Sequence, residues 1–411
     1  MNLLYNIGIQ IAQILLKIIA LFNDKIKLGV EGRSKTFQIL KKHLSHNDKT
    51  FWFHCASLGE YEQGLPIFKK LRAEHPNHKI VLSFFSPSGY EIRKQTDVAN
   101  VVIYLPLDTK ANAKHFVTLV KPELTIFVKY DIWPNYLSEL KKRDLKALLI
   151  SAAFRKEQSY FRFYGGMMRQ ALGTFEHIFV QNESSKSLLN TIGYTDASVV
   201  GDTRYDRVSD QLNQDNTLPF IEQFRDGKLC VVIGSSWPED EALFVEYINA
   251  MTSKDVKFII APHNIKSNQI DSFVSRIQKP CVLFSEKDGK NLSGFDVFIV
   301  DTIGILSKIY KYADIAYVGG AMGQTGLHNI LEPAVFGVPV VIGKNHKKFP
   351  EAFQMIAHGG VISIKNSQEL EKTMDELISN STKREALGEL NTGFIKKNKD
   401  AVVQIMKHIR K

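Results

Sequence analysis

Cysteine is scarce in this 411-residue chain: Cys55, Cys230 and Cys281 are odd in number and far apart. That excludes a disulfide framework and fits reduced thiols in a cytosolic setting. Metal-ligand spacings such as C-x-x-C or H-E-x-x-H are missing, so no bound metal is expected. Acidic residues are outnumbered, 43 against 53 Lys plus Arg, which leaves a net charge of +10. A surplus of that sign suits an anionic partner, whether nucleic acid, a phosphorylated substrate or an anionic membrane face. No aromatic-rich basic stripe accompanies it, so a nucleic-acid partner is not expected. Apolar residues at 44% and charged residues at 23% rule out a disordered chain, a collagen-like fibre and a polytopic membrane protein. The length favours two domains.

One long apolar run exists. Residues 3–22, LLYNIGIQIAQILLKIIALF, are interrupted only by Asn6, Gln10, Gln13 and Lys17, spaced to form one stripe of a helix. No basic stretch precedes the run and no small-x-small cleavage site follows it, against a removable signal peptide. The reading is a retained anchor over residues 1–24, lying in the membrane interface or crossing once. The alternative is an amphipathic helix buried against the rest of the protein or a partner.

From Thr50 onward short apolar runs alternate with helix-like segments, which means βαβ units and parallel sheets. Seven runs, from FWFHCA (51–56) to ASVVGD, precede a polar stretch at 209–228 that reads as a linker. Seven more, from LCVVIGSS to VISIK, follow it, and the last 35 residues or so are helical and basic. The expected fold is α/β, with two Rossmann-like domains, 25–207 and 208–411. Ligands of such sheets sit outside the carboxyl ends of the strands, so a cleft between the domains is the expected active site.

The strand-to-helix loops therefore matter most. Ser57-Leu58-Gly59-Glu60 follows the first strand and would deliver Glu60 to the first turn of a helix. An ionised Glu60 could take a proton from an acceptor hydroxyl. S-x-x-E is equally a capping box, and Gln could serve the cap but not the base. Ser86-Pro87-Ser88-Gly89 is either a plain turn or a donor of backbone N–H groups to a phosphate. The run from Gly319 and Gly320 to Gly326 would let a phosphate approach the backbone at the start of a helix. It does not fit the dinucleotide fingerprint. His328, Asn329 and Glu332 would ride on that helix, with Asn329 and Glu332 on one face. Glu332 there is either a ribose ligand or a favourable first-turn acid. Ala261-Pro262-His263 and Asp301-Thr302-Ile303-Gly304 close two further strands. Arg204 is either a cation for a leaving phosphate or a surface partner of Asp206.

Several motifs, in this order, resemble one family. They are FWFHCASLGE with SPSG, YLPLD (104–108), DIWPN (131–135), GDTRYD, GSSWPEDE (234–241), APH, DTIG and YVGGAMGQTGLHNILEPAVFGVPVVIG with NHKKF. The chain is similar to the transferases that attach 3-deoxy-D-manno-octulosonic acid (Kdo) to the lipid A precursor in lipopolysaccharide synthesis. The resemblance implies a GT-B fold and an inverting transfer from CMP-Kdo that uses no metal or other cofactor. It also implies a lipid A precursor as acceptor and a place on the cytoplasmic side of the cell inner membrane. By the same resemblance Glu60 is the general base, and Arg204, Asp131 and Lys129 complete the catalytic set. CMP contacts fall at Ser235, Pro262, His263, Ile303, Gly304, Ile305, Gly319, Gly320, Asn329, Ile330, Leu331 and Glu332. Acceptor contacts fall at Ser57, Gly59, Ser86 and Ser88. This chain departs from the family pattern at Arg204, usually Lys, at His263-Asn264, usually Arg-His, at Ile305, usually Glu, and at Lys129, usually acidic. Another GT-B enzyme using a UDP-sugar, and a nucleotide-sugar-binding protein without turnover, are the alternatives.

Overall fold

Strands buried on both faces of a parallel sheet are read as short, nearly continuous apolar runs. In the computed structural model, which describes residues 2–410, all fourteen runs are strands. The first sheet comprises β1 (Thr50–Cys55), β2 (Lys79–Phe84), β3 (Val101–Tyr104), β4 (Pro122–Val128), β5 (Ala147–Ala152), β6 (His177–Val180) and β7 (Ala197–Val199). Its order is β3-β2-β1-β4-β5-β6-β7, every pair parallel. The order reverses between β1 and β4, the kind of switch point where open α/β sheets place their ligands.

The second sheet comprises β8 (Leu229–Ser236), β9 (Val256–Pro262), β10 (Cys281–Leu283), β11 (Val297–Ile299), β12 (Ile315–Val318), β13 (Val340–Ile342) and β14 (Val361–Ser363). It runs β10-β11-β9-β8-β12-β13-β14, again all parallel, and switches between β8 and β12.

Side-chain alternation along β1 sends Trp52 to one face, against Phe116, Phe127 and Tyr136. Phe53 goes to the other and stacks on Phe68 with ring centroids 4.2 Å apart. Each sheet thus has a separate apolar cluster on either side.

The chain divides into two compact units at Arg207 and Val208, and residues from Lys399 onward return to the first. The final helix, Ala401–Ile409, buries Ala401, Val402, Ile405 and Met406 in the first unit's core, and Arg410 pairs with Glu74. The C-terminal helix expected within 208–411 therefore belongs to the first unit. The polar 209–228 stretch is also more than a linker. It contains the helix Pro219–Arg225, whose Ile221 and Phe224 are fully buried in the second unit.

The N-terminal apolar run is a helix, Asn2–Ile19. Tyr5 donates to Asp108 at 2.8 Å, and Asn135 donates to Asn6 at 3.0 Å. Leu3, Leu4, Ile7, Ile11, Ile14, Leu15 and Ile18 are exposed. Among the described residues no helix is long and apolar enough to cross a membrane.

Candidate active site

Glu60 enters the first unit's switch point because β1 ends at Cys55 and the helix Leu58–Glu74 begins three residues later. Its Oε2 accepts from the Ser57 N–H at 3.2 Å and from the Ala56 N–H. That is the carboxylate half of the capping box. Among the described residues Oε1 has no hydrogen-bond partner. The capping oxygen and the oxygen left open to a proton are thus separate atoms of one carboxyl. Only 6% of the residue is exposed. Burial, followed by the charge of Asp131, pushes its pKa up to about 7, against the lowering influence of His54, the Ala56 N–H and Lys129.

A side-chain chain runs under this carboxyl. His54, fully buried on β1, sits 2.8 Å from Ser83 Oγ through Nδ1 and 2.6 Å from Asp131 Oδ2 through Nε2. Trp52 Nε1 donates to Ser83 Oγ at 2.8 Å, and Trp133 Nε1 donates to Asp131 Oδ2 at 2.9 Å. One set of proton positions satisfies all of it: the Ser83 hydroxyl donates to Nδ1, and Nε2–H donates to Asp131. Asp131 Oδ2 is therefore occupied by two donors. Sequence reasoning placed Asp131 here but missed His54, whose partner stands 77 residues away and leaves no local pattern.

Lys129 follows β4 with φ of 72°, a left-handed conformation that costs a non-glycine residue energy and recurs at functional sites. Its ammonium lies 5.2 Å from the Tyr130 ring centroid and close enough to Glu60 to lower that carboxyl's proton affinity. A cation here does what an acid could not: it favours the ionised carboxylate.

Arg204 is paired with Asp202, not Asp206: Nε and Nη2 donate to Oδ2 at 2.9 and 2.8 Å. Asp206 instead accepts from the Asp400 N–H at 3.0 Å. Asp202 is also within 3.4 Å of Gln63 Nε2, one turn along the Glu60 helix. Of the expected acceptor contacts, Ser86 caps the helix Pro87–Arg93 by accepting from the Ser88 N–H. That amide is thereby engaged, while the Ser86 N–H bonds Ala56 O at 2.8 Å and ties the two loops together. A Cβ at Gly89 would lie 3.1 Å from the Ser57 carbonyl carbon and closer still to Phe84, so the approach of the loops requires glycine there. A Cβ at Gly59 would meet Ser57 Oγ only at 4.0 Å, so space does not demand glycine there.

The second unit gathers its candidates at the ends of β8, β9, β11 and β12, four neighbouring strands. Trp237 stacks on His263 at 4.4 Å, His263 lies 4.5 Å from His328 with its ring tilted by 39°, and Trp237 Nε1 donates to His328 Nε2 at 3.2 Å. Burial lowers the proton affinity of both histidines, taking His328 to about 4, so the stack is neutral at pH 7. It offers uncharged aromatic surface of the kind on which a nucleobase can stack. Asp240, fully buried, organises the neighbouring loop. It accepts from the Gly320 N–H at 2.8 Å, the Trp237 N–H at 2.9 Å and the Tyr317 hydroxyl at 2.7 Å. Asp240 and Trp237 were not singled out from sequence; their signal was the W-P-E-D start of a helix.

The glycine-rich segment does not lead into a long helix. Gly320 at φ 94° and Gly326 at φ 106° keep it irregular, and the following helix is only Leu331–Ala334. His328 and Asn329 precede that helix rather than riding on it. Asn329 nevertheless meets Glu332, donating to Oε1 at 3.2 Å. Ile330 and Leu331 are core side chains, 1% and 0% exposed, and cannot contact a donor except through their backbone. Ile303 is 87% exposed beside Gly304 at φ 95°, with Ile305 partly covered. Ser235 is left-handed at φ 53°, and a Cβ at Gly319 would meet its carbonyl oxygen at 2.4 Å. The latter contact fixes glycine at 319. A cavity of about 630 Å³ opens beside this loop, lined by Glu239, Gln324, Thr325, Lys344 and Asn345 among others. Pro262 ends β9, where the His263 N–H bonds Ser236 O at 2.9 Å. Among the described residues no group of three His, Cys, Asp or Glu side chains gathers as metal ligands.

Comparison with known proteins follows the same lines. Residues 31–207 match the family model described as 3-deoxy-D-manno-octulosonic-acid transferase (kdotransferase). The chain is 27% identical to the 3-deoxy-D-manno-octulosonic acid transferase of Haemophilus influenzae over 377 residues, 86% of this chain and 85% of that one. It is 25% identical to the enzyme of the same name from Chlamydia pneumoniae over 395 residues, 92% and 90% of the two chains. Among solved structures, UDP-GlcNAc 2-epimerase from Neisseria meningitidis aligns with a TM-score of 0.61 at 14% identity, covering 88% of this chain and 99% of that one. That likeness concerns the fold alone. With the motifs in place and relatives aligned over most of their length, the chain is similar to the Kdo transferase family.

Proposed function

We propose that the protein is an inverting glycosyltransferase that moves Kdo from CMP-Kdo to a hydroxyl of the lipid A precursor. The observation that carries the reading is the divided Glu60 carboxyl. One oxygen is held by backbone N–H groups, the other has no partner among the described residues, and burial brings the proton affinity close to neutrality. Glu60 Oε1 takes the proton of the acceptor hydroxyl as that oxygen attacks the anomeric carbon of Kdo. The bond from that carbon to the CMP phosphate oxygen breaks, and CMP departs as an anion. In the second unit the neutral Trp237–His263–His328 stack receives the cytosine, and Glu332, oriented by Asn329, receives the ribose hydroxyls. Arg204, held by Asp202, supplies positive charge to the departing phosphate.

The acceptor is a membrane lipid, and the reading puts the protein at the cytoplasmic face of the inner membrane. The exposed apolar side of helix Asn2–Ile19 supports a helix lying in the interface rather than one crossing it. Transfer from CMP-Kdo to tetraacyl lipid A precursor, set beside a panel of UDP-sugars, tests the function. Turnover of a UDP-sugar with CMP-Kdo ignored would overturn it.

A further inference from the structure

The segment between β5 and the helix Gly166–Leu172 has no part in the chemistry above, yet it carries the most exposed aromatic side chain of the described residues. Phe163 is 94% exposed and Tyr164 is 53% exposed, their rings packed edge to face at 5.2 Å. Exposure on this scale at a loose tip would mean little, but this tip is built. Gly165 N–H bonds Arg162 O at 2.9 Å, and a Cβ at Gly165 would meet Ser159 O at 1.9 Å, so the turn is closed around a glycine. Arg169 Nη1 donates to Tyr160 O at 3.0 Å and to Arg162 O at 2.8 Å. Tyr160, buried, anchors the base of the loop by donating to Tyr130 O at 3.2 Å. The fold thus spends its hydrogen bonds on holding two aromatic rings outward.

The charge around them has one sign. Residues 154–169 contain Arg155, Lys156, Arg162 and Arg169 against Glu157 alone. Among the described residues none of these four cations makes an ion pair, and Arg155, Lys156 and Arg162 are exposed. Aromatic rings framed by cations match the boundary between anionic headgroups and acyl chains. The placement is continuous with the N-terminal helix. Tyr130 and Asn135, on one short stretch after β4, hold the loop and Asn6 of that helix respectively.

We infer that the 155–164 loop is a second lipid-contact element, which inserts Phe163 and Tyr164 into the interface of an anionic bilayer. The cations of the loop bind headgroups there. This rests on the membrane reading of the first unit and adds a point of contact to it. Two contacts orient a protein on a surface, where one helix leaves it free to swivel.

The test is co-sedimentation of the full chain with phosphatidylcholine vesicles, with and without phosphatidylglycerol. Phe163→Ser/Tyr164→Ser is expected to weaken binding to the anionic vesicles about tenfold, and Arg155→Gln/Arg162→Gln to remove much of the anionic preference. Phe163→Trp is expected to add fluorescence that lipids brominated in their acyl chains quench. Wild type without vesicle binding would overturn the membrane reading and this inference together. Wild-type binding retained in full by the Phe163/Tyr164 variant would overturn the inference alone. Unchanged vesicle binding with a raised KM for detergent-dispersed acceptor would do the same, and assign the loop to the acceptor instead.

Discussion

At the scale of single residues, the proposed base is a carboxyl that also caps its own helix. Glu60→Gln keeps an oxygen for the Ser57 and Ala56 amides but cannot accept a proton. Transfer is expected to fall by about 10²–10⁴-fold, with the urea midpoint little changed. Sequence exposed this residue because its cap is local, four residues of S-L-G-E. It could not expose the choice between cap and base, which depends on a second oxygen left unbonded. The pH dependence follows from burial. A carboxyl raised to about 7 is protonated and inactive below that pH, so kcat/KM rises as pH climbs through about 7. After burial, the charge of Asp131 is what pushes it up. Asp131→Asn is therefore expected to move the acid limb of the pH–rate profile to lower pH, while also loosening His54. A limb that stayed in place would remove Asp131 from the account of Glu60.

At the scale of elements, every strand was legible because runs buried on both faces leave an uninterrupted apolar signature. The glycine-rich segment was not, since His328, Asn329 and Glu332 mimic helical spacing while positive-φ glycines keep the backbone irregular. What holds that irregular path is Asp240, a buried carboxylate with three donors directed at it. Asp240→Ala strands the Gly320 and Trp237 amides and the Tyr317 hydroxyl in the interior. The expected cost is about 3 kcal/mol, read from urea unfolding. CMP affinity should fall with it, because Trp237 and the 319–320 turn lose their common anchor. The loss should be visible by calorimetry under conditions where the variant is folded. Asp240 was hard to see in advance for a plain reason: its partners lie at 237, 317 and 320, and only the first is local.

At the scale of the whole molecule, the chain enters the second unit after Arg207 and leaves it again before Lys399. Periodicity in the last residues shows that a helix has an apolar face. It carries no information about which core receives that face, and the nearer domain in sequence is the wrong one here. Ile405 is fully buried among first-unit side chains, so truncating it removes cover from the first sheet alone. Ile405→Ala is expected to cost about 2–5 kcal/mol, in the range of large-to-small core changes. The tryptophans allow the location to be read. Trp52 and Trp133 lie in the first unit and Trp237 in the second, so a Trp237→Phe background reports the first unit only. In that background the fluorescence midpoint in urea should drop with Ile405→Ala. CMP binding, assigned here to the second unit and measured with Trp237 intact, should persist at urea concentrations just above the shifted transition. If CMP binding fails together with the first unit's fluorescence, the last helix stabilises both units as one cooperative body, and the division at residue 207 is one of connectivity rather than of stability.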